Sequence, residues 1–493
     1  MASGFAQTKT GKAVFDLPKA HHQMTPGSPS LRIISSISIM IVCVLSVWQQ
    51  AGGPDWLWKA AGSFLALYFA LEWRALPRVC HVMALAVAIA TGALIFRGEF
   101  TWQIVEKAAL RAGFFTLLMT CLSYMAEAAR SSPTVKRCGV AALEQKPTLR
   151  FAVLALAGHF MGILITTGAS ALLGTAIHAA TVEERDHGNR RLAQIKRSRM
   201  VSAVSRGVAA VALWSPTAAM GGVLLTTLPE LKWRDFAAQG AMVAGCLFVM
   251  AVFFDWMTRP RDLGANASTI AGNPRALIHF LPLFGLIVVI FISGVSLNYL
   301  TGLRQITALL ICVFVYGVIW IGLQQAGPTL IQKFIRTVRH LAERSPEFLT
   351  AQRGEVGLLA LASAFGVLLS SLHAPEVIET AVNFLGLSET GTLITSAWIV
   401  GIMTHIGIST VISISILAEV LWNLPTMEFE KTILALAMLG PAAACGASAL
   451  FSVPVRVMSM VVDEPATVVG MKWNLPYAVF AMIYITLAIY MIS

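Results

Sequence analysis

From Ile33 to Ile492 the chain reads as a succession of apolar runs separated by short polar links rich in Arg, Lys, Gly and Pro. A run of about 20 apolar residues crosses the hydrocarbon layer of a bilayer. Such runs predict full crossings near residues 33–49, 57–72, 80–96, 106–128, 199–229, 236–256, 276–294, 303–323, 353–373, 431–460 and 474–492. Two other stretches, 150–180 and 391–421, are roughly 30 residues long, too long for one simple span, and Thr, Gly and Ser interrupt each near its centre. These predict re-entrant helical hairpins. The expected fold is an all-α polytopic membrane protein with about 11 transmembrane helices plus two re-entrant hairpins.

Basic residues set the expected orientation, because short cytoplasmic loops carry an excess of Lys and Arg. With the N-terminus inside, one inner loop holds Arg130, Lys136, Arg137, Lys146 and Arg150, and the next holds Arg185, Arg190, Arg191, Lys196, Arg197 and Arg199. Reading 150–180 as a single crossing would turn that second loop outward. The expected location is a bacterial inner (plasma) membrane, multi-pass, with a cytoplasmic N-terminus and a periplasmic C-terminus. Residues 1–31 are polar and contain Gly, Pro and the paired His21 and His22, which predicts a disordered cytoplasmic tail ahead of one transmembrane domain over 32–493.

The same order of elements occurs twice, over 57–256 and 276–492: crossings, a short amphipathic connection, a hairpin, a broken helix and a closing helix. An odd number of crossings per half inverts the second copy, the arrangement of many secondary transporters. The broken helices carry Trp214-Ser215-Pro216-Thr217-Ala218 and Gly440-Pro441-Ala442-Ala443-Ala444. Proline removes an internal hydrogen bond, so a mid-membrane break exposes backbone that must line a cavity. A plain structural kink satisfied by a neighbouring helix is the alternative. Opposed half-helix ends attract anions at N-termini and cations at C-termini.

A content of 57% hydrophobic and 12% charged residues suits a bundle of apolar helices and leaves no segment for a soluble domain. The formal charge of +11 is dispersed over short loops rather than along a stripe, so the expected partners are membrane lipid and a small anionic substrate, with no nucleic acid. Residues 327–349 place Lys333, Arg336, Arg339 and Arg344 among apolar residues at helical spacing, which fits an amphipathic helix on anionic lipid. The seven cysteines are scattered singly, with no disulfide or zinc pattern. The lack of a phosphate-binding glycine loop argues against ATP-driven transport.

Two polar-tipped hairpins and two broken helices, in inverted halves covering nearly the whole chain, resemble the ion transporter superfamily. The specific likeness is to the divalent-anion/sodium symporters (DASS), the citrate, succinate and dicarboxylate carriers. The tips here read Thr166-Thr167-Gly168-Ala169-Ser170 and Thr404-His405-Ile406-Gly407-Ile408-Ser409-Thr410, where that family carries Ser-Asn-Thr. The resemblance implies a scaffold, substrate and cation sites built from tips and breaks, and a homodimer working by an elevator motion.

Ionisable side chains inside spans are costly and usually functional. The central ones are His159, Arg206 and His405. Arg206 suits bidentate binding of a carboxylate or sulfonate, or it snorkels to the headgroups. His405 can donate to an anion, take a coupling proton, or bond a backbone carbonyl. His159 has no polar neighbour in sequence and reads as packing or hydrogen bonding.

The hydroxyls Thr166, Thr167, Ser170, Ser215 and Thr217 are expected to form one half-site and Thr404, Ser409, Thr410 and Ser448 the other, with Pro216 and Pro441 at the breaks. Sodium, if it couples, has Thr166, Ser215, Thr404 and Ser448 as candidate oxygen ligands; no cofactor is expected. Glu72, Asp255 and Glu419 fall near segment ends, so no buried carboxylate pair of an antiporter is evident.

The leading expectation is a secondary active transporter of a small organic anion, carboxylate or sulfonate, coupled to sodium or protons, and no enzyme. The alternatives are a cation/proton or oxyanion exchanger of the same superfamily, and a membrane-embedded enzyme of lipid-linked or polysaccharide metabolism. Short outer segments without clustered Arg or His weigh against the enzyme.

Overall fold

A computed structural model describes residues 29–186, 190–228, 230–259 and 274–493. Four crossings open the chain: α1 (Pro29–Gln50), α2 (Leu57–Glu72), α3 (Arg78–Arg97) and α4 (Trp102–Ser131). Because α1 begins at Pro29, residues 29–31 are helical and not tail; residues 1–28 lie outside the described residues. Ser132 accepts hydrogen bonds from the Thr134 and Val135 amides and so caps a short helix, α5 (Pro133–Leu143). Next come α6 (Pro147–Ile165) and α7 (Gly168–Asp186), then α8 (Arg190–Ala210), α9 (Ala219–Thr227) and α10 (Trp233–Thr258).

The second half runs through α11 (Leu281–Thr301), α12 (Gln305–Gln324), the amphipathic α13 (Leu330–Ala351), α14 (Arg353–Ser371) and α15 (Ala374–Phe384). It continues with α16 (Glu389–His405), α17 (Thr410–Trp422), α18 (Lys431–Cys445), α19 (Val453–Val462) and α20 (Trp473–Ile492). Among the described residues eight helices are long and apolar enough to cross a membrane, and α15 meets α16 at a bend of 113°. The protein is an all-α polytopic membrane protein.

Contacts between distant links sort the connections onto two faces. On the face with the basic loops, Arg353 reaches Glu72 at 3.4 Å, Arg199 meets Asp255 at 2.6 Å and Arg197 meets Glu464 at 3.2 Å. On the opposite face, Lys431 meets Glu230 at 2.8 Å, His373 lies 3.7 Å from Glu99, and Arg304 donates to the Leu225 carbonyl at 3.0 Å. Four of these pairs test the hairpins: a single crossing at α6 and α7 would part Glu72 from Arg353 and Glu99 from His373, and one at α16 and α17 would part Arg197 from Glu464 and Glu230 from Lys431.

The first hairpin stands against the broken span that follows it. His159 contacts the Gly207 carbonyl at 3.0 Å and Thr217 bonds the Ile163 carbonyl at 2.8 Å, so α6 ascends alongside α8. Arg197 donates to Thr181 at 3.1 Å, so α7 descends beside the same helix. Close approach needs glycine: a Cβ on Gly207 would fall 2.0 Å from the Ala155 carbonyl oxygen, and one on Gly158 would fall 2.8 Å from that of Val204. The tip therefore ends level with the break, and the nine residues of α9 carry the span on by about 13 Å.

The second half repeats the arrangement, with one correction. Pro441 does not break its helix: it sits inside α18, which continues to Cys445, and the break falls at residues 446–452. A proline deletes one amide donor but leaves the turn intact when the packed surroundings hold it. Gly446 ends the helix where a Cβ would meet the Ala442 carbonyl at 2.5 Å and the Ala209 Cβ at 3.3 Å. The amides of Ser448 and Ala449 then both return to the Cys445 carbonyl, turning the chain. Small residues at a crossing of two helices, rather than the ring, set the break.

The helices pack as two groups. One holds α1 to α4, α11, α12 and α14; the other holds α6 to α10 and α16 to α20. At their boundary α14 faces α17, and α4 faces α6 and α9. Arg111 of α4 pairs across it with Glu419 of α17 at 2.6 Å.

Candidate functional site

The site is built where helix ends meet in mid-span. The C-terminal ends of α6 and α16 and the breaks after α8 and α18 face the N-terminal ends of α7, α9, α17 and α19. Ser452 caps α19 by accepting from the Val455 amide, whereas no side chain caps α9 or α17. Their first-turn amides thus present unsatisfied donors and the positive ends of helix dipoles. The two half-sites adjoin: α18 packs on the 3-10 turn Val211–Leu213, and α17 packs on α9.

In the first half-site Ser215 and Thr217 share a hydrogen bond at 2.7 Å, and Thr217 donates to the Ile163 carbonyl at 2.8 Å. Ser170 is fully buried and its hydroxyl has no partner among the described residues. Thr166 turns the tip with φ of 47°, a region unfavourable to a β-branched residue and held here by its amide bond to the Gly162 carbonyl at 2.9 Å. Thr167 is half-buried beside it. Pro216 lines an apolar recess with Trp233, Phe291 and Gly294.

In the second half-site Thr404 donates to the Val400 carbonyl at 2.7 Å and shares a hydrogen bond with Thr410 at 3.0 Å across the tip. Ser409 precedes α17 without capping it through its hydroxyl. Gly407, at φ of 101°, makes the turn under the Phe451 ring, and Ile406 and Ile408 are exposed. His405 joins tip to break, with Nδ1 2.8 Å from the Gly401 carbonyl and Nε2 2.9 Å from the Ser448 hydroxyl. A carbonyl only accepts, so Nδ1 carries a hydrogen. Ser448 has one hydrogen and two acceptors, His405 Nε2 and the Cys445 carbonyl at 3.1 Å. Pointed at Nε2, that hydrogen leaves the imidazole neutral; pointed at Cys445, it leaves Nε2 to donate and the ring charged.

The other two central ionisable residues do not reach the hairpin tips. Arg206 lies about two turns below the break and donates to Asn474 at 3.0 Å and to the Trp473 carbonyl at 3.2 Å. Its guanidinium stands 4.3 Å from the Tyr477 ring centroid and 5.2 Å from that of Phe254. It braces the π-helical turn Val468–Lys472 that leads into α20, so the structure does not bring it to the tips. His159 accepts from the Trp214 indole at 3.1 Å and donates to the Gly207 carbonyl, which fixes a neutral ring with both nitrogens engaged.

The four candidate sodium ligands separate into two pairs, one per half, and Ser215, Thr404 and Ser448 already bond within their own half. Two residues outside the expected site set, Trp214 and Trp233, also build the first break. Trp233 donates to the Trp214 carbonyl at 2.6 Å, and both rings stack toward Phe291, walling the first break. An indole beside Ser-Pro in an apolar run was the available signal.

No family model matches the chain, and no curated protein matches it. Among solved structures, that of the Alcanivorax borkumensis YdaH transporter, reported to have an unusual topology, is similar over 83% of this chain and 95% of its own, with 15% identity and a TM-score of 0.48.

Proposed function

We propose that the chain is a secondary active transporter of a small organic anion, a carboxylate or sulfonate, in a bacterial inner membrane. One observation carries the reading: a hairpin tip is bonded to a helix break twice, through Thr217 and Ile163 in one half and through His405 and Ser448 in the other. Broken helices put uncapped amides and hydroxyl donors in mid-membrane, where a carboxylate gains most from them. The group holding both hairpins would move past the other as an elevator, with coupling to protons or sodium. Protons are favoured by the His405 and Ser448 pair, whose hydrogen bonds close in either charge state of the ring.

The test is uptake of a panel of carboxylates and sulfonates by proteoliposomes, with sodium and pH varied separately, in wild type and His405→Ala. Uptake that collapses in His405→Ala, while binding and folding persist, supports the reading. Proton flux linked to sodium without any organic substrate would favour the exchanger, and chemical conversion of a lipid-linked substrate would favour the enzyme.

A further inference from the structure

The helix α13 has no counterpart in the first half. There the link between the third and fourth crossings is residues 98–101, whereas the matching link in the second half contains all 22 residues of α13. The inverted architecture closes without it, so its surface has its own cause.

Its N-terminal half exposes Leu330 (86%), Ile331 (73%), Phe334 (69%), Ile335 (59%) and Val338 (50%). At about 100° per residue these five occupy one arc roughly 140° wide, with Lys333 just beyond one edge and Arg339 just beyond the other. The Lys333 ammonium has no hydrogen bond or ion pair among the described residues, and the Arg339 guanidinium pairs there only with Glu343 of its own helix.

The C-terminal half of the helix is held against α4. Glu127 of α4 lies 3.5 Å from both His340 and Arg344, Tyr124 meets Ser345 at 3.4 Å, and the Tyr124 ring packs 5.0 Å from that of Phe348. The C-terminal half is thus fastened to a crossing while the N-terminal half offers an apolar arc bracketed by cations. It does so on the face of the basic loops, one short link after α12 ends, where headgroups lie.

We propose that α13 docks flat on an anionic bilayer surface, its apolar arc in the acyl boundary and Lys333 and Arg339 at lipid phosphates. The charge bracket distinguishes this occupant from a second protein copy, whose matching arc would bring the same cations together.

The test uses the full chain with Cys246→Ser and a nitroxide on Phe334→Cys or Glu343→Cys. The protein is reconstituted in phosphatidylcholine vesicles with and without about 30% phosphatidylglycerol. At 334, collision with oxygen should exceed collision with a water-soluble nickel chelate several-fold, and more so in anionic vesicles; at 343 the order should reverse. Adding Lys333→Glu and Arg339→Glu should erase the dependence on vesicle charge. Equal chelate access at both sites overturns the proposal. So does spin coupling between labels of two copies, which assigns the arc to a dimer, or protection that vanishes on deleting residues 1–28, which assigns it to the tail.

Discussion

At the scale of single residues, the site is held by hydroxyls that each answer a particular backbone carbonyl. Thr217→Val keeps the shape of the side chain but leaves the Ile163 carbonyl without its donor. The expected loss is about 1–3 kcal/mol of stability, read as a lowered unfolding temperature in detergent. A different residue carries the pH dependence. His373 follows α14 outside the membrane, in the left-handed region at φ of 59°, 3.0 Å from Glu376 and 3.7 Å from Glu99. The hydrogen bond to Glu376, then the charges of Glu376 and Glu99, raise its pKa above the usual 6.5, and His373 in turn lowers that of Glu376.

A raised histidine contributes stability below its unfolded pKa and loses it as pH rises through the folded value. A depressed carboxylate contributes above its unfolded pKa and loses it as pH falls through the folded value. The contact thus works in the window from the carboxylate range to somewhat above pH 6.5. Protease protection of the loop in wild type should exceed that of His373→Gln inside this window, and the two should converge at alkaline pH. A constant difference across pH would contradict the ion pair.

Among elements, the pairing of each hairpin with its broken span depends on backbone approach. Gly207→Ala forces α6 and α8 apart, since no rotamer relieves a Cβ 2.0 Å from a carbonyl oxygen. The cost should exceed the roughly 1–3 kcal/mol usual for overpacking. Loss of folded protein on size-exclusion is expected, while Gly245→Ala, with nothing within 4 Å, should be silent.

At the scale of the whole molecule, the boundary between the two helix groups decides whether one moves. Arg111 and Glu419 meet there with only 11% of each side chain exposed, and Asn423 braces the Glu419 carbonyl at 2.7 Å. Arg111→Ala leaves a mostly buried carboxylate partnerless, with an expected cost of about 3 kcal/mol. Glu419→Gln in the same chain should recover most of it, as read by thermal unfolding. Joining the groups by a short thiol-cleavable cross-link between cysteines at 111 and 419 should arrest transport without lowering the melting temperature, and reductant should restore it. Unimpaired transport by the cross-linked protein would contradict relative motion.

The spans, both hairpins and the first break were legible along the chain, because bilayer thickness and the interruption of an apolar run are local properties. The amphipathic α13 was legible for the same reason. The position of the second break, the placement of Arg206 and the partner of His405 were not. Pro441 is locally the stronger breaker, yet packing keeps its turn helical and the chain breaks at Gly446, where α18 crosses Ala209. Arg206 looks free on its own helix and is taken by Asn474 and Tyr477, more than 260 residues on. His405 stood beside threonines in sequence but bonds Ser448 in the fold. Sequence determined which segments must leave water; tertiary structure decided which buried polar group answers which, because a hydrogen bond needs its partner within about 3 Å and only packing brings distant residues that close.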